Sequence, residues 1–315
     1  MAWPPEPETP AEVRWTHIRG GPSTLRAGIV GTVEPGGDRP LVVATMGYRA
    51  CVDDFEMQRF RLLSEALEWD IVVLDTPGYG YSQVRLDRRQ RGALYRGDFR
   101  PLVEDMAEAL TSLVPGLDRR AVSVLGYSLG ACSAAALAGL LVERGDVAAL
   151  DRMILVEPVA AHRWTLPALG LARLAESRAE EHYLDLNHRF GWAVPPTDRR
   201  SGPQSVLPRP ASADLRAMIH GLSRGLLPRD LIALVRAVPG LRIETVVGES
   251  SAMVPAEGRD RLCRLLARAG GDHRVHGIAG AHHALWQSIE HVGVLARRLA
   301  DIDQGTLPDD RSAEV

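Results

Sequence analysis

The stretch VLGYSLGACSAAALA, Val124–Ala138, carries one serine at the centre of Gly126-Tyr127-Ser128-Leu129-Gly130. A serine can act as a nucleophile toward a carbonyl when it sits on a sharp turn between a strand and a helix, with its hydroxyl presented outward. The backbone at such a turn is strained, so the residues two before and two after must be tiny. Gly126 and Gly130 meet that need. A Gly-x-Ser-x-Gly pentapeptide alone falls in many loops, where its serine is merely tolerated. Here the apolar, β-branched run AVSVL precedes it and a helical segment of very small side chains, LGACSAAALAGL, follows. The start of that helix would aim free N–H groups and the positive end of its dipole at the serine's surroundings, which favours a developing oxyanion.

The elements that must hold such a turn can be read along the chain. VRWTHI and LRAGIVGTV read as an opening hairpin, followed by strands at PLVVATMG, DIVVLDTPG, AVSVLGYS, RMILVEP, RIETVVGE and HRVHGI. All but the last are continuously apolar, as expected of parallel strands covered on both faces. Between them, apolar residues recur at three and four over Phe55 to Leu67, Pro101 to Leu113, Leu129 to Arg144, Ala256 to Ala269 and Ala284 to Ala300, which predicts helices. The alternation implies an α/β fold with a mostly parallel sheet. From Val159 to Arg236 no strand is legible, only helix-like pieces broken by AVPPTDRRSGPQSVLPRP, so this span reads as an inserted helical cap. The expected organisation is a core over 11–158 and 237–303, a cap over 159–236, and tails at 1–10 and 304–315. No internal repeat is apparent.

Composition narrows the function classes. The chain has 315 residues, and 37 Lys plus Arg against 40 Asp plus Glu leave a net charge of −3, with no long run of one sign. Nucleic acid is therefore not an expected partner. The arginine-rich RLDRRQRG, Arg85–Gly92, reads as a solvated loop. Three scattered cysteines, Cys51, Cys132 and Cys263, suggest neither a disulfide framework nor a zinc site, and fit a reducing interior. His273 and His276 would face opposite sides of one strand, so they do not form a metal pair. With no signal sequence and no bilayer-length apolar run, a soluble cytoplasmic protein is expected, with no membrane span. No cofactor is implied.

With these features the chain resembles the α/β-hydrolase superfamily from about Val13 to Ala300. The resemblance rests on Gly126–Gly130, VVATMGYR (Val42–Arg49), DTPGYGYS (Asp75–Ser82) and GIAGAHHALW (Gly277–Trp286). Where the family usually shows His-Gly, this chain has Met46-Gly47, which implies an oxyanion hole made by the backbone N–H groups of Tyr48 and Leu129. DTPGYGYS resembles the family's Asp-x-Pro-Gly-x-Gly-x-Ser loop, where Asp75 would orient or support. The family's base comes late, in the order Ser, acid, His. GAHHALW aligns with its Gly-His pair if His282 takes the glycine place, making His283 the base and His282 the alternative.

The acid departs from the family pattern. The loop after RIETVVGE usually supplies an Asp, but GESSAMVP puts Ser251 there. Three carboxylates remain. Glu157, ending the preceding strand in LVEPVAAHR, is favoured because some relatives take their acid from that loop. Glu249 is nearer in sequence, and Glu257 opens a predicted helix, where its charge suits the helix dipole. A protein without an acid, working as a dyad or no longer hydrolysing, also stays open.

The resemblance implies acyl transfer from an ester or thioester of a small molecule, with Ser128 attacking and His283 as base. A serine nucleophile disfavours the haloalkane dehalogenase and epoxide hydrolase branches. A thioesterase-like cyclase or acyltransferase and a non-catalytic ligand-binding relative are the alternatives. The cap would draw its lining from His162, Trp164, Tyr183, His188, Phe190 and Trp192, or use them for packing.

Overall fold

In a computed structural model, residues 12–20, 23–34, 37–82, 84–192 and 211–303 are described. Both expected tails and the proline-rich 193–210 lie outside them. The strands are β1 (Val13–Gly20), β2 (Ser23–Val30), β3 (Leu41–Thr45), β4 (Asp70–Leu74), β5 (Ala121–Tyr127), β6 (Ala149–Val156), β7 (Arg242–Gly248) and β8 (Asp272–Ile278). The helices are α1 (Asp54–Leu67), α2 (Arg88–Tyr95), α3 (Arg100–Leu113), α4 (Gly130–Arg144), α5 (Leu166–Arg189), α6 (Ser212–Ser223), α7 (Leu227–Ala237), α8 (Ala256–Arg268) and α9 (Ile289–Asp303).

The strands form one sheet in the order β1-β2-β4-β3-β5-β6-β7-β8. The first two pairings are antiparallel and the rest parallel. Successive side chains of a strand point to opposite faces, and in β3 both faces are core: Leu41 and Val43 join one apolar cluster, Val42 and Ala44 the other. The first cluster packs α3, α4, α7 and α8 through Met106, Leu110, Leu137, Leu141, Leu234 and Leu266. The second packs α1 and α9 through Met57, Phe60, Leu63, Leu295 and Leu299. The fold is thus a mostly parallel sheet covered by helices on both faces. Small side chains let α4 lie close to the sheet, with Ala131, Ala134, Ala135 and Ala138 all buried.

Two expectations change. RLDRRQRG is not a loop: Arg88–Tyr95 is helical, opened by a capping box in which Asp87 accepts from Gln90 N and Gln90 accepts from Asp87 N. Such a box closes two otherwise unpaired N–H groups and needs no apolar periodicity. The helix expected from Ala284 instead starts with a 3-10 turn at His283–Gln287, and α9 follows from Ile289. Between β6 and β7 the described residues hold α5, α6 and α7 and no strand.

The edge strand β8 leads into the turn that bears His283, so its pairing to β7 matters for the site. His273 Nε2 lies 3.0 Å from the Thr245 hydroxyl across that pair. Burial lowers the His273 pKa from 6.5 to about 4. A histidine depressed on folding contributes stability above its unfolded pKa and loses it as pH falls. Urea denaturation between pH 7 and pH 4 should therefore show wild-type stability dropping more steeply below pH 6.5 than that of His273→Gln.

Candidate active site

Ser128 follows the last residue of β5 and precedes α4. Its φ is +56°, left-handed, a conformation costing a side-chain-bearing residue about 1–3 kcal/mol. The flanking glycines are demanded by contact. A Cβ on Gly130 would lie 2.4 Å from Thr45 O, and one on Gly126 would lie 2.6 Å from Gly130 O. The Thr45 hydroxyl donates to Gly130 O at 2.7 Å, tying the turn to β3.

Glu157 repeats this arrangement one strand over, with φ +52° just after β6. Ser128 N donates to Val156 O, and Glu157 N donates to Val246 O, each at 2.8 Å. The nucleophile candidate and the acid candidate are thus fixed on adjacent strand ends by one hydrogen bond apiece to the next strand.

The His283 ring lies between them. Nε2 is 3.1 Å from Ser128 Oγ, and Nδ1 is 2.9 Å from Glu157 Oε2. Glu157 is 0% exposed, and Ser128 and His283 keep only 7% and 8% of their surface. A buried carboxylate needs donors, and Glu157 has three: His283, Gly248 N, and the Ser251 hydroxyl at 2.6 Å. The serine at the position where the family usually has its Asp therefore donates to the carboxylate that comes from the neighbouring strand. The alternatives lie elsewhere. Glu249 is exposed with its carboxylate over Gly277, Glu257 is exposed in the first turn of α8, and His282 Nδ1 is 3.4 Å from Glu176.

Tyr127 and Trp286 back the imidazole. The Tyr127 ring stacks on His283 at 5.7 Å and on Trp286 at 5.5 Å, and its hydroxyl donates to His283 O at 3.0 Å. Burial, then the Glu157 charge, push the Tyr127 phenol well above its usual pKa, so it stays a neutral donor. From α1, Glu56 accepts from Trp286 Nε1, and the buried Arg59 donates to Trp286 O and Gln287 O.

Sequence reasoning missed Glu176. This α5 carboxylate is 1% exposed and accepts from His283 N at 2.9 Å and from Ala252 N. One side chain thus ties α5 to both the histidine turn and the loop bearing Ser251. Its signal was a charge on the buried stripe of a helix: Leu169, Glu176 and Tyr183 recur at seven, and all are buried.

The Gly47–Tyr48 peptide passes beside the elbow, since a Cβ on Gly47 would lie 3.5 Å from Ser128 Cβ. Tyr79 OH donates to Gly47 O at 3.1 Å. In a planar trans peptide the next N–H points opposite to that carbonyl, so Tyr79 fixes the direction of the Tyr48 N–H. The Tyr79 loop is held by Asp75, which accepts from Val52 N, Tyr81 N and Ser82 N. Burial outweighs those bonds and raises the Asp75 pKa to about 7. Asp75 has no contact with Ser128 or His283 among these bonds and supports the loop.

The aromatic and histidine residues expected in the cap make the following ring contacts. Tyr183 packs on His291 at 5.0 Å, Trp164 meets His162 at 4.7 Å, and Phe190, 65% exposed, lies beside Trp192 with His188 also exposed.

The model of the alpha/beta hydrolase family matches residues 47–297. The chain belongs to that family. Among solved structures, this hydrolase-family chain is similar to the thioesterase domain from the curacin biosynthetic pathway, with 16% identity, a TM-score of 0.58, and coverage of 92% of this chain and 99% of that one. It is also similar to E-2-(acetamidomethylene)succinate hydrolase, at 21% identity and TM-score 0.57, covering 93% and 100%. A thermophilic esterase from Thermogutta terrifontis shares 17% identity at TM-score 0.56, covering 93% and 98%. At these identities the likeness is one of fold. No curated protein matches the sequence, and no helix among the described residues is long and apolar enough to cross a membrane.

Removing the Glu176 carboxylate would leave the buried His283 N–H and the half-buried Ala252 N–H without an acceptor, at about 1–3 kcal/mol for the buried one. Glu176→Ala should lower the urea midpoint by several tenths of the wild-type value or more, with the far-UV spectrum retained. An unchanged midpoint would show that α5 is not latched through this group.

Proposed function

We propose that this protein is a serine hydrolase acting on an ester or thioester through an acyl-enzyme on Ser128. The observation that carries this reading is the buried relay in which His283 bridges the Ser128 hydroxyl and the Glu157 carboxylate. With Nδ1–H donated to Glu157, the imidazole presents a free Nε2 lone pair to Ser128 Oγ–H. His283 takes that proton as the oxygen attacks the substrate carbonyl. The negative charge that forms on the carbonyl oxygen is received by the N–H groups of Tyr48 and Leu129. The imidazolium, held by Glu157, then gives its proton to the departing alkoxide or thiolate, leaving the acyl group on Ser128. Water enters, gives its proton to His283, and releases the acid while Ser128 Oγ recovers the proton.

In this reading Ser251 helps hold the Glu157 carboxylate in place by donating to the oxygen that also faces His283. Tyr79 is a positioning residue for the oxyanion hole. The helices α5, α6 and α7 form the cap, with α5 latched to the site by Glu176, and the substrate is a small acyl compound.

Steady-state assays on a panel of aryl esters and acyl thioesters test the proposal. Ser128→Ala should abolish turnover. Glu157→Gln should lower kcat by about 10²–10⁴-fold by upsetting the tautomer, while Glu249→Gln leaves kcat unchanged. The reverse result for the two glutamates would reassign the acid. Tyr79→Phe should lower kcat about tenfold with KM unchanged, because its hydroxyl orients a donor that acts on the transition state.

A further inference from the structure

Away from Ser128, Arg96, Arg163, Arg224 and Arg261 line a cavity of about 440 Å³ whose remaining wall is Gly225 and Leu226. The four cations come from four places: the end of α2, the segment between β6 and α5, the end of α6, and the middle of α8. Close backbone approach gathers them. Gly225, at φ +62°, lies so near the 162–163 backbone that a Cβ would sit 2.6 Å from His162 O. Gly97, at φ +83°, leaves no more than 2.9 Å between such an atom and Arg224 Cβ. Trp164 N donates to Ser223 O, and Arg224 Nε donates to Tyr95 O at 3.0 Å.

Among the described residues no carboxylate lies within ion-pair distance of any of these four arginines. Some surface arginines are paired, such as Arg89 with Glu104 and Arg242 with Asp151, and others, such as Arg144 and Arg236, have no such partner among the described residues; what marks these four is that they converge on one cavity. In a chain of net charge −3, four unneutralised guanidinium groups around one concavity repel one another. A bound anion would offset that repulsion. Planar guanidinium forks match phosphate oxygens two at a time, and four of them suit more than a single phosphate. The volume falls in the range of small-molecule pockets, and no extended basic stripe adjoins it in the sequence.

We propose that this cavity binds a small molecule bearing a diphosphate group. Arg163 follows Glu157 by six residues, so its Cα lies within about 20 Å of the acid candidate. Two sources share this chemistry: the diphosphate of a carrier thiol that forms the leaving half of a thioester substrate, and a separate nucleotide. The first would deepen the hydrolase reading and rests on it; the binding site itself does not.

Isothermal titration calorimetry with ADP and with coenzyme A tests the site on the full chain. One saturable site, weakening with added salt and at least tenfold weaker in the double variant Arg163→Gln, Arg261→Gln, is the expected result. Equal thermal midpoints for the two proteins exclude misfolding as the cause, since both side chains are exposed. Absence of saturable binding, or binding that the double variant leaves unchanged, overturns the proposal. Inorganic pyrophosphate separates the sources: it raises KM for a coenzyme A thioester but not for a small aryl ester if the diphosphate belongs to the substrate, and alters neither if it belongs to a separate ligand. Binding is read without turnover, so failure of the Ser128 chemistry and failure of this site are distinguishable.

Discussion

A carboxylate with no exposed surface lies at the end of β6, and its charge can persist there only if donors surround it. Leaving one such group unpaired costs about 3–5 kcal/mol, so the surroundings of Glu157 are constrained from several directions. The N–H of Gly248 comes from the neighbouring strand, the Ser251 hydroxyl from the loop beyond it, and the imidazole N–H from the turn after β8. Two segments distant in sequence, 248–251 and the turn at His283, therefore meet at the Glu157 side chain. Satisfying Glu157 also aims His283 Nε2 at Ser128. The left-handed residues at the ends of β5 and β6 make this possible, because each turns its side chain above the sheet while its N–H still pairs with the next strand.

The histidine turn is supported from all sides by groups that share no sequence motif with it. Arg59 and Glu56 of α1 hold Trp286 and Gln287 from one face of the sheet, Tyr127 stacks beneath the imidazole, and Glu176 of α5 holds the His283 N–H. Catalytic geometry in this class of chemistry tolerates little displacement. A turn gripped by two helices and by Tyr127, which precedes Ser128, meets that demand. The helix α5 is thereby coupled to the site, since moving it breaks a bond to the backbone of His283.

Elements buried on both faces were legible in the sequence, because a short, continuously apolar run such as PLVVATMG fits a strand covered by helices above and below. The elbow was legible because crowding at Gly126 and Gly130 restricts those positions to one residue type. α2 was not, since its start rests on the Asp87–Gln90 box and its surface is mostly charged. The carboxylate beside His283 could be narrowed to three residues but not separated by spacing: what places Glu157 there rather than Glu249 is a left-handed turn after β6, and nothing local in LVEPVAAHR announces one. Glu176 and Tyr79 act by meeting backbone groups from distant segments, and such partners leave no periodic trace.

Activation of Ser128 by His283 and Glu157 is tested most directly by incubation with a fluorophosphonate, followed by intact-mass measurement and peptide mapping. An activated serine predicts one adduct per chain, located on Ser128, absent in Ser128→Ala and formed much more slowly in Glu157→Gln. A folded wild-type protein that takes no adduct, or takes it on another residue, would contradict that activation.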